Sequence, residues 1–519
     1  MQDADVIVIG AGHNGLAAAA TLAKHGRRVL VLEKNAYVGG MTGTREILKG
    51  CRNEVGASCL FPLSQEVVDD LAFEKHGAEF IDLPVMAVNL PNAGAKPLIF
   101  FSNPLRQLAH ILFRHGPGAM LGFMRLIQFC KYPASVMDRF KAGQVPKTLD
   151  ELLAAAPSEA AREQLELVFR GSAMDIVDRF FPNRDKHRTL RALLSFAAIQ
   201  STFKGPFSPG SAFCLVYTMA LNGGGGLMRR VKGGMGSLSE ALQRSIEAKG
   251  GTVRLKQSVE RILIEEGRAV GVELRNGERL HAPVVLSNLD KPATFLRLVG
   301  EELLPADLLE DVRGVEHKGA WVHMLFKLEG LPEYGGEWQR LNRDIHVRFG
   351  GAMVPDPEEM QASYEACQRN EVPRHVPIAF QIPTIMDASL APPGFHIASA
   401  YGFFFPCDAP DAERGKLRDE MAERVVDRIC EFLPDFRRRI VDRAVFSSDH
   451  FAAMHGATHG DFTHGLIHPD QMLAARTIVD GSAHATPIEG LYLCGAACHP
   501  GPGVTFLPGY GCAQEVLRR

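Results

Sequence analysis

The sequence predicts an α/β protein with an α+β second lobe, and three observations carry that prediction. Residues 5–33 read as strand, tight glycine turn, helix and strand; a buried-strand pattern returns at residues 284–288; and the second half holds alternating apolar runs suited to an antiparallel sheet. At 519 residues the chain exceeds what one hydrophobic core ordinarily serves, so two lobes that share strands are expected.

The opening unit is DVIVIG, AGHNG, LAAAATLAKHG and RRVLVLE. Gly10, Gly12 and Gly15 have the G-x-G-x-x-G spacing: the first permits the turn, the second lets backbone approach a pyrophosphate, and the third lets helix pack on strand. The helix N-terminus then faces the phosphates. Glu33 ends the second strand 23 residues after Gly10, where a carboxylate accepts both hydroxyls of an adenosine ribose and repels a 2′-phosphate. Just beyond lies a second glycine pair, Gly39 and Gly40 in EKNAYVGGMTGT, placed where the pyrophosphate and ribityl chain of a flavin require close backbone approach. Sites for NAD do not ordinarily carry this extension, so FAD, held non-covalently in a Rossmann-type domain, is the expected cofactor.

Composition narrows the remaining function classes. Apolar residues make up 46% and charged residues 23%, with a formal charge of -3, so no basic excess exists to neutralise phosphates and nucleic acid is not an expected partner. The ten cysteines include no CxxC pair, which argues against a disulfide framework or zinc knuckle and for a reducing cytoplasm. A strand beginning near Asp5 leaves no room for a secretory leader. The apolar stretch 205–228 is broken by Pro206, Pro209 and the glycines 223–226, which disqualifies it as a membrane-spanning helix.

These motifs together resemble the phytoene-desaturase-like and amine-oxidase-like FAD oxidoreductases, in which the glycine fingerprint and the E-x5-GG extension occur together. The run GLYLCGAACHPGPGVTFLPGYGCAQEVL resembles the closing FAD motif of that family, and is most similar to the phytoene-dehydrogenase-related branch that includes the pyridine nucleotide-disulphide oxidoreductase domain proteins. The resemblance implies a glutathione-reductase-like FAD domain built from residues 1–60, 229–300 and 447–519. It implies a substrate lobe of mixed or antiparallel sheet plus helices from 61–228 and 301–446, with a helical lid. It also implies further cofactor contacts at Lys34, Met41, Val259, Ser287, Asn288, Gly495, Ala496, Gly503 and Val504. Two departures stand out: Met41 follows the glycine pair where amine oxidases tend to have arginine, and Pro502 and Phe506 replace small residues of the closing motif.

No second G-x-G-x-x-G follows a strand, so no separate NAD(P) domain is expected, and by the resemblance KGGMGSL reads as a helix start against the flavin. A single dinucleotide site implies oxygen, a quinone or another diffusing electron acceptor; the sequence leaves the choice open, and the oligomeric state with it. Residues 251–286 read as short strands with a turn at 275–277. Between Asp82 and Asp138 there is no acid, while Lys96, Arg106, Arg114, Arg125 and Lys131 are interspersed with large apolar residues. Two readings stay open for that stretch: peripheral contact with an anionic membrane, or helices that cover a substrate tunnel with their basic residues in water.

The family resemblance brings His499, Cys498 and His464 to the flavin edge, which makes His499 and His464 the candidate catalytic residues and a structural cap of the glycine turn the alternative for His499. His450, His455, His459, His464 and His468 fall close together, but Gly456 and Gly460 argue against a ligating helix, and no metal is expected. A covalent flavin link through these residues is not expected either, since none is an activated nucleophile. The resemblance implies oxidation, desaturation or isomerisation of an apolar isoprenoid, polyene or lipid-like substrate, for which the runs 211–222 and 403–405 offer either tunnel lining or ordinary core. The competing readings are a flavin amine oxidase, and a flavin-bearing interaction protein with a structural cofactor.

Overall fold

The computed structural model describes residues 3–137, 144–223 and 228–519, so Asp138 and the glycines 224–226 lie outside the described residues. A five-stranded parallel sheet runs in the order Leu491–Leu493, Val284–Ser287, Val6–Ile9, Val29–Leu32, Thr252–Arg254. Val6–Ile9 and Val29–Leu32 are apolar at every position because both faces of this sheet are covered. Val6, Val8, Val29 and Val31 face the helices His13–Lys24, Gly236–Ala248 and Leu507–Arg518. Ile7, Ile9, Leu30 and Leu32 face a three-stranded antiparallel layer, Val259–Glu265, Arg268–Leu274 and Arg279–His281, with the expected turn at Gly277.

The second sheet has seven strands in the order Ile440–Ser447, Trp321–Glu329, Phe395–Phe403, Ile378–Gln381, Gly350–Met353, Val85–Leu90, Leu98–Phe101. Trp321 pairs with Phe403 and Glu329 with Phe395, so the two apolar runs lie in an antiparallel sheet, as expected, and are each other's partners there. One face of this sheet packs on the helix Asp411–Phe432. The other looks across a cavity at the helices Arg188–Ile199 and Ser211–Gly223.

The acid-free stretch forms two helices, Pro104–His115 and Pro117–Val136. The Asn103 side chain accepts from the Arg106 amide and Pro104 occupies the first turn, a start that needs no further partner. Among the described residues no helix is long and apolar enough to cross a membrane. The 211–222 run serves both roles left open for it: Phe213, Leu215 and Val216 are fully buried in the helical core, while Thr218 and Met219 line the cavity. Likewise Phe403 lines the cavity while Phe404 and Phe405 are core.

One expectation is corrected. The helix Gly236–Ala248 does not abut the cavity; it braces the glycine extension from behind, with the Gly236 amide donating to Thr44 Oγ1 at 2.9 Å and Ser239 Oγ 3.2 Å from Thr42 Oγ1. The small residues of KGGMGSL let this helix start close to Thr44, since a Cβ on Gly236 would stand 2.5 Å from the Thr44 nitrogen.

Candidate active site

A cavity of about 1190 Å³ extends from the first glycine turn into the space between the seven-stranded sheet and the helical layer. That exceeds the usual volume for one small ligand, roughly 300–1,000 Å³, and leaves room for a cofactor and a substrate together.

At one end the two glycine turns form a single backbone cradle. Gly10 has φ of 92°, a conformation that L side chains resist, and Gly12 bridges to Gly39, whose amide donates to the Ala11 carbonyl at 2.7 Å. The helix His13–Lys24 begins at Gly12 without a side-chain cap and without an acid in its first turn, so its free amides and positive end are directed at the cavity. Glu33 is buried, with Oε2 accepting from the Ala11 amide and Oε1 from the Asn35 amide, each at 2.8 Å. A carboxylate so held retains lone pairs for two hydroxyls. An uncapped helix start beside a glycine cradle and a positioned carboxylate has the donors and acceptors that a pyrophosphate and ribose require, so these residues fit FAD.

The structure brings most of the sequence-chosen cofactor residues to this wall. Gly10, Gly12, Glu33, Lys34, Gly39 and Gly40 line the cavity, as do Met41, Val259, Asn288, Ala496, Gly503 and Val504. Gly15, Ser287 and Gly495 do not. A Cβ on Gly15 would stand 2.3 Å from the Gly10 carbonyl oxygen, so its role is the close helix-to-strand approach that its motif position predicts. Ser287 is buried with its hydroxyl 2.7 Å from that of Thr294, and Gly495 packs tightly against Asn288.

The catalytic candidates divide. His464 lines the cavity, is partly buried and holds a left-handed backbone with φ of 54°, and its Nδ1 has no hydrogen-bond partner among the described residues. His499 and Cys498 do not line it. The Tyr217 hydroxyl donates to the Pro502 carbonyl at 2.8 Å and pins the turn in which they sit, and the Cys498 thiol donates to the Gly495 carbonyl at 2.9 Å. Burial pushes that thiol up to about 12, which leaves it an inert hydrophobe. Among the described residues no three of His, Cys, Asp and Glu gather as metal ligands.

Sequence reading missed several residues. His13, inside the glycine fingerprint, lines the cavity with Nε2 3.3 Å from the Gly503 carbonyl, and burial pushes it down to about 4; His455 also lines the cavity and is pushed down to about 3. Arg476 is buried, has no carboxylate partner among the described residues, and donates to the carbonyls of Thr463, His464, Gly465 and Ala496, so one guanidinium holds the His464 turn against the closing motif. A buried pair at 2.8 Å, Arg230 with Glu54, anchors the cavity-lining segment 56–59 through the Ser58 carbonyl. The next carbonyls of that segment are held as well, Val55 by His323 and Gly56 by the Tyr401 hydroxyl. Arg230, His323 and Tyr401 carry no local sequence signal, since each partner lies far along the chain.

Away from the cradle the walls turn apolar. Phe100, Phe123, Leu193, Phe196 and Met219 form the side toward the helices, and Trp321, Tyr401, Phe451 and Phe462 form an aromatic wall in which Trp321 and Phe451 centroids are 4.3 Å apart.

The model of the family described as flavin containing amine oxidoreductase matches residues 15–509. The rat pyridine nucleotide-disulfide oxidoreductase domain-containing protein 2 is 27% identical, with 99% of this chain and 93% of that protein covered. The chloroplastic prolycopene isomerase of Daucus carota is 26% identical, with 99% of this chain and 80% of that protein covered. Among solved structures, an oxidoreductase from Methanosarcina mazei superposes with a TM-score of 0.64 at 16% identity, covering 99% of this chain and 100% of that one, which speaks for the fold.

Proposed function

The chain belongs to the flavin containing amine oxidoreductase family, and from that premise we propose that it oxidises, desaturates or isomerises an apolar isoprenoid, polyene or lipid-like substrate by hydride transfer to FAD. The observation that carries this reading is one cavity that joins the glycine cradle to an apolar chamber. When bound, the isoalloxazine supplies the hydride acceptor, and the protein supplies orientation and a dry enclosure.

The backbone at Gly10, Gly12, Gly39 and Gly40 would hold the pyrophosphate, Glu33 would accept from the ribose hydroxyls, and Lys34 and Val259 would serve the adenosine. Met41, Asn288, Ala496, Gly503 and Val504 shape the wall beside the ring system. His464 is the one catalytic candidate retained. Burial holds its imidazole below the ordinary histidine range, so near neutral pH it offers a hydrogen bond or a proton relay without a standing charge. Oxygen or a quinone is the proposed acceptor, and the division into an FAD domain of 1–60, 229–300 and 447–519 with a substrate lobe between them is part of the same reading.

Peripheral membrane contact belongs to it as well. The helices Pro104–His115 and Pro117–Val136 expose Leu105 at 78%, Phe113 at 81% and Met124 at 56%, interspersed with Arg106, Arg114, Arg125 and Lys131. Pro104, Gln107, Phe123 and Ile127 of the same pair line the cavity, so a membrane-dissolved substrate reaches its mouth without crossing water.

The aromatic wall is the one feature that favours an amine substrate. Against it, Glu33, Glu260 and Asp290 are the only acids among the described lining residues, and all three lie on segments bordering the five-stranded sheet, which leaves the apolar chamber no counter-charge for an ammonium group. Anaerobic titration of the purified holoprotein decides. Bleaching of the visible flavin band by polyenes or prenyl lipids supports the proposal, whereas bleaching by amines alone, or by none of these, refutes it.

A further inference from the structure

Resting on the apolar-substrate reading above, we infer that the substrate is not a pure hydrocarbon: Asn89, at the far side of the chamber, is the hydrogen-bond donor for a hydroxyl or carbonyl oxygen on an otherwise apolar chain. Asn89 lies on the strand Val85–Leu90, is 2% exposed and lines the cavity, and its Nδ2 has no hydrogen-bond partner among the described residues. A primary amide walled off from water and left unpaired is a standing energetic cost, and side chains so placed are normally satisfied by protein, water or ligand. Leucine would fill this site without that cost, and Val88 and Leu90, its neighbours on the strand, are apolar.

The register of the sheet shows what lies between Asn89 and the region beside Gly56. Tyr401 pairs with Ala379, Ala379 with Ala352, and Ala352 with Asn89, and all four residues line the cavity. Three strand spacings separate Tyr401 from Asn89, about 14 Å. Two alanine methyls are the only side chains in that row between an aromatic ring and an amide, which makes a shallow, smooth floor. Phe100, Leu193 and Phe196 close the chamber above it. A flat or extended apolar chain lying along this floor places one end beside Tyr401 and the other against the amide, so the donor reads the chain's terminus and sets its direction.

The test compares two probes on the holoprotein, geranylgeraniol and the same tetraprenyl chain ending in a methyl group, each titrated by perturbation of the flavin spectrum. In the native protein the alcohol is expected to bind about tenfold more tightly, equivalent to ~1.4 kcal/mol. In Asn89→Leu that ratio falls to about one while the hydrocarbon binds as well as before or better. Asn89→Ala serves the same purpose should leucine disturb flavin content. Equal affinities in the native protein, or an advantage for the alcohol that survives both substitutions, overturns the assignment and leaves the apolar-substrate reading standing. Binding of neither probe overturns both.

Discussion

Glycine 12 stands at the meeting point of the two glycine turns, and a side chain there has nowhere to go. A Cβ would lie 2.7 Å from Asn288 Nδ2 and would project where the phosphates approach the helix start. Gly12→Val is expected to lower FAD affinity by at least about tenfold, ~1.4 kcal/mol, while leaving the far-ultraviolet circular dichroism unchanged; reconstitution of the stripped protein with FAD measures it. Arg230 and Glu54 pose a different question, because both are buried, at 0% and 5% exposure, and each is the other's principal counter-charge. Removing one partner strands the other, so Arg230→Met is expected to cost about 3–5 kcal/mol in urea unfolding. The double change Arg230→Met with Glu54→Leu should recover much of that loss, and a double variant no more stable than the single one contradicts this account. At this scale the sequence was readable only where chemistry is local. Gly10, Gly12 and Glu33 declare themselves by spacing within one strand-helix-strand unit. Asn89, Arg230 and Arg476 matter through burial and through partners over a hundred residues away or in another loop, which no short motif records. His499 was chosen by its place in the closing motif and does not line the cavity, while Tyr217, from a distant helix, holds the Pro502 carbonyl of the following turn.

Among the described residues, the helix pair of the acid-free stretch differs from the other α-helices in leaving large apolar side chains in water. Exposed singly such residues are unremarkable, but here Leu105, Leu108, Leu112 and Phe113 share one helix and Leu121, Met124 and Ile127 the next. Replacing Leu105, Phe113 and Met124 together by serine is expected to abolish flotation with liposomes that contain anionic lipid, with little change in flavin content. Recovery of the native protein with lipid-free fractions would rule out the membrane contact. The strands Trp321–Glu329 and Phe395–Phe403 were legible as long apolar runs without helical spacing, and both are buried over most of their length. The parallel pairing of Gly350–Met353 with Val85–Leu90 was not, since nothing in either segment names a partner some 260 positions away. That pairing is what carries Asn89 into the chamber.

For the molecule as a whole, buried imidazoles set its response to acid. His13, His323, His455 and His484 are held down at about 4, 3, 3 and 4, in each case chiefly because burial disfavours the charged ring. In the unfolded chain these groups titrate at about 6.5. Between those values the unfolded state binds protons that the folded state refuses, so stability is expected to fall steadily as pH drops from about 6.5 toward 4. Asp461 works in the same sense at lower pH: burial opposes its charge, but the His317 ring and the bonds from Thr463 and Gly465 hold it below the usual range, so its contribution too is lost as pH falls, in stronger acid. Urea midpoints taken from pH 7.5 downward test the window, and a midpoint flat or rising through it contradicts the prediction.

The five-stranded sheet also has a consequence for synthesis on the ribosome. Its outer strand, Leu491–Leu493, pairs with Val284–Ser287, and the helix that seats the first glycine turn, Leu507–Arg518, packs on His13–Lys24, so both are made hundreds of residues after the glycine turn that they complete. The nascent unit of residues 5–33 therefore waits, with one flank bare, until residues 507–518 have been made. A chain cut before Leu491 keeps every residue of the fingerprint and still lacks the surface that holds it in shape, which makes it a client for chaperones rather than a flavoprotein.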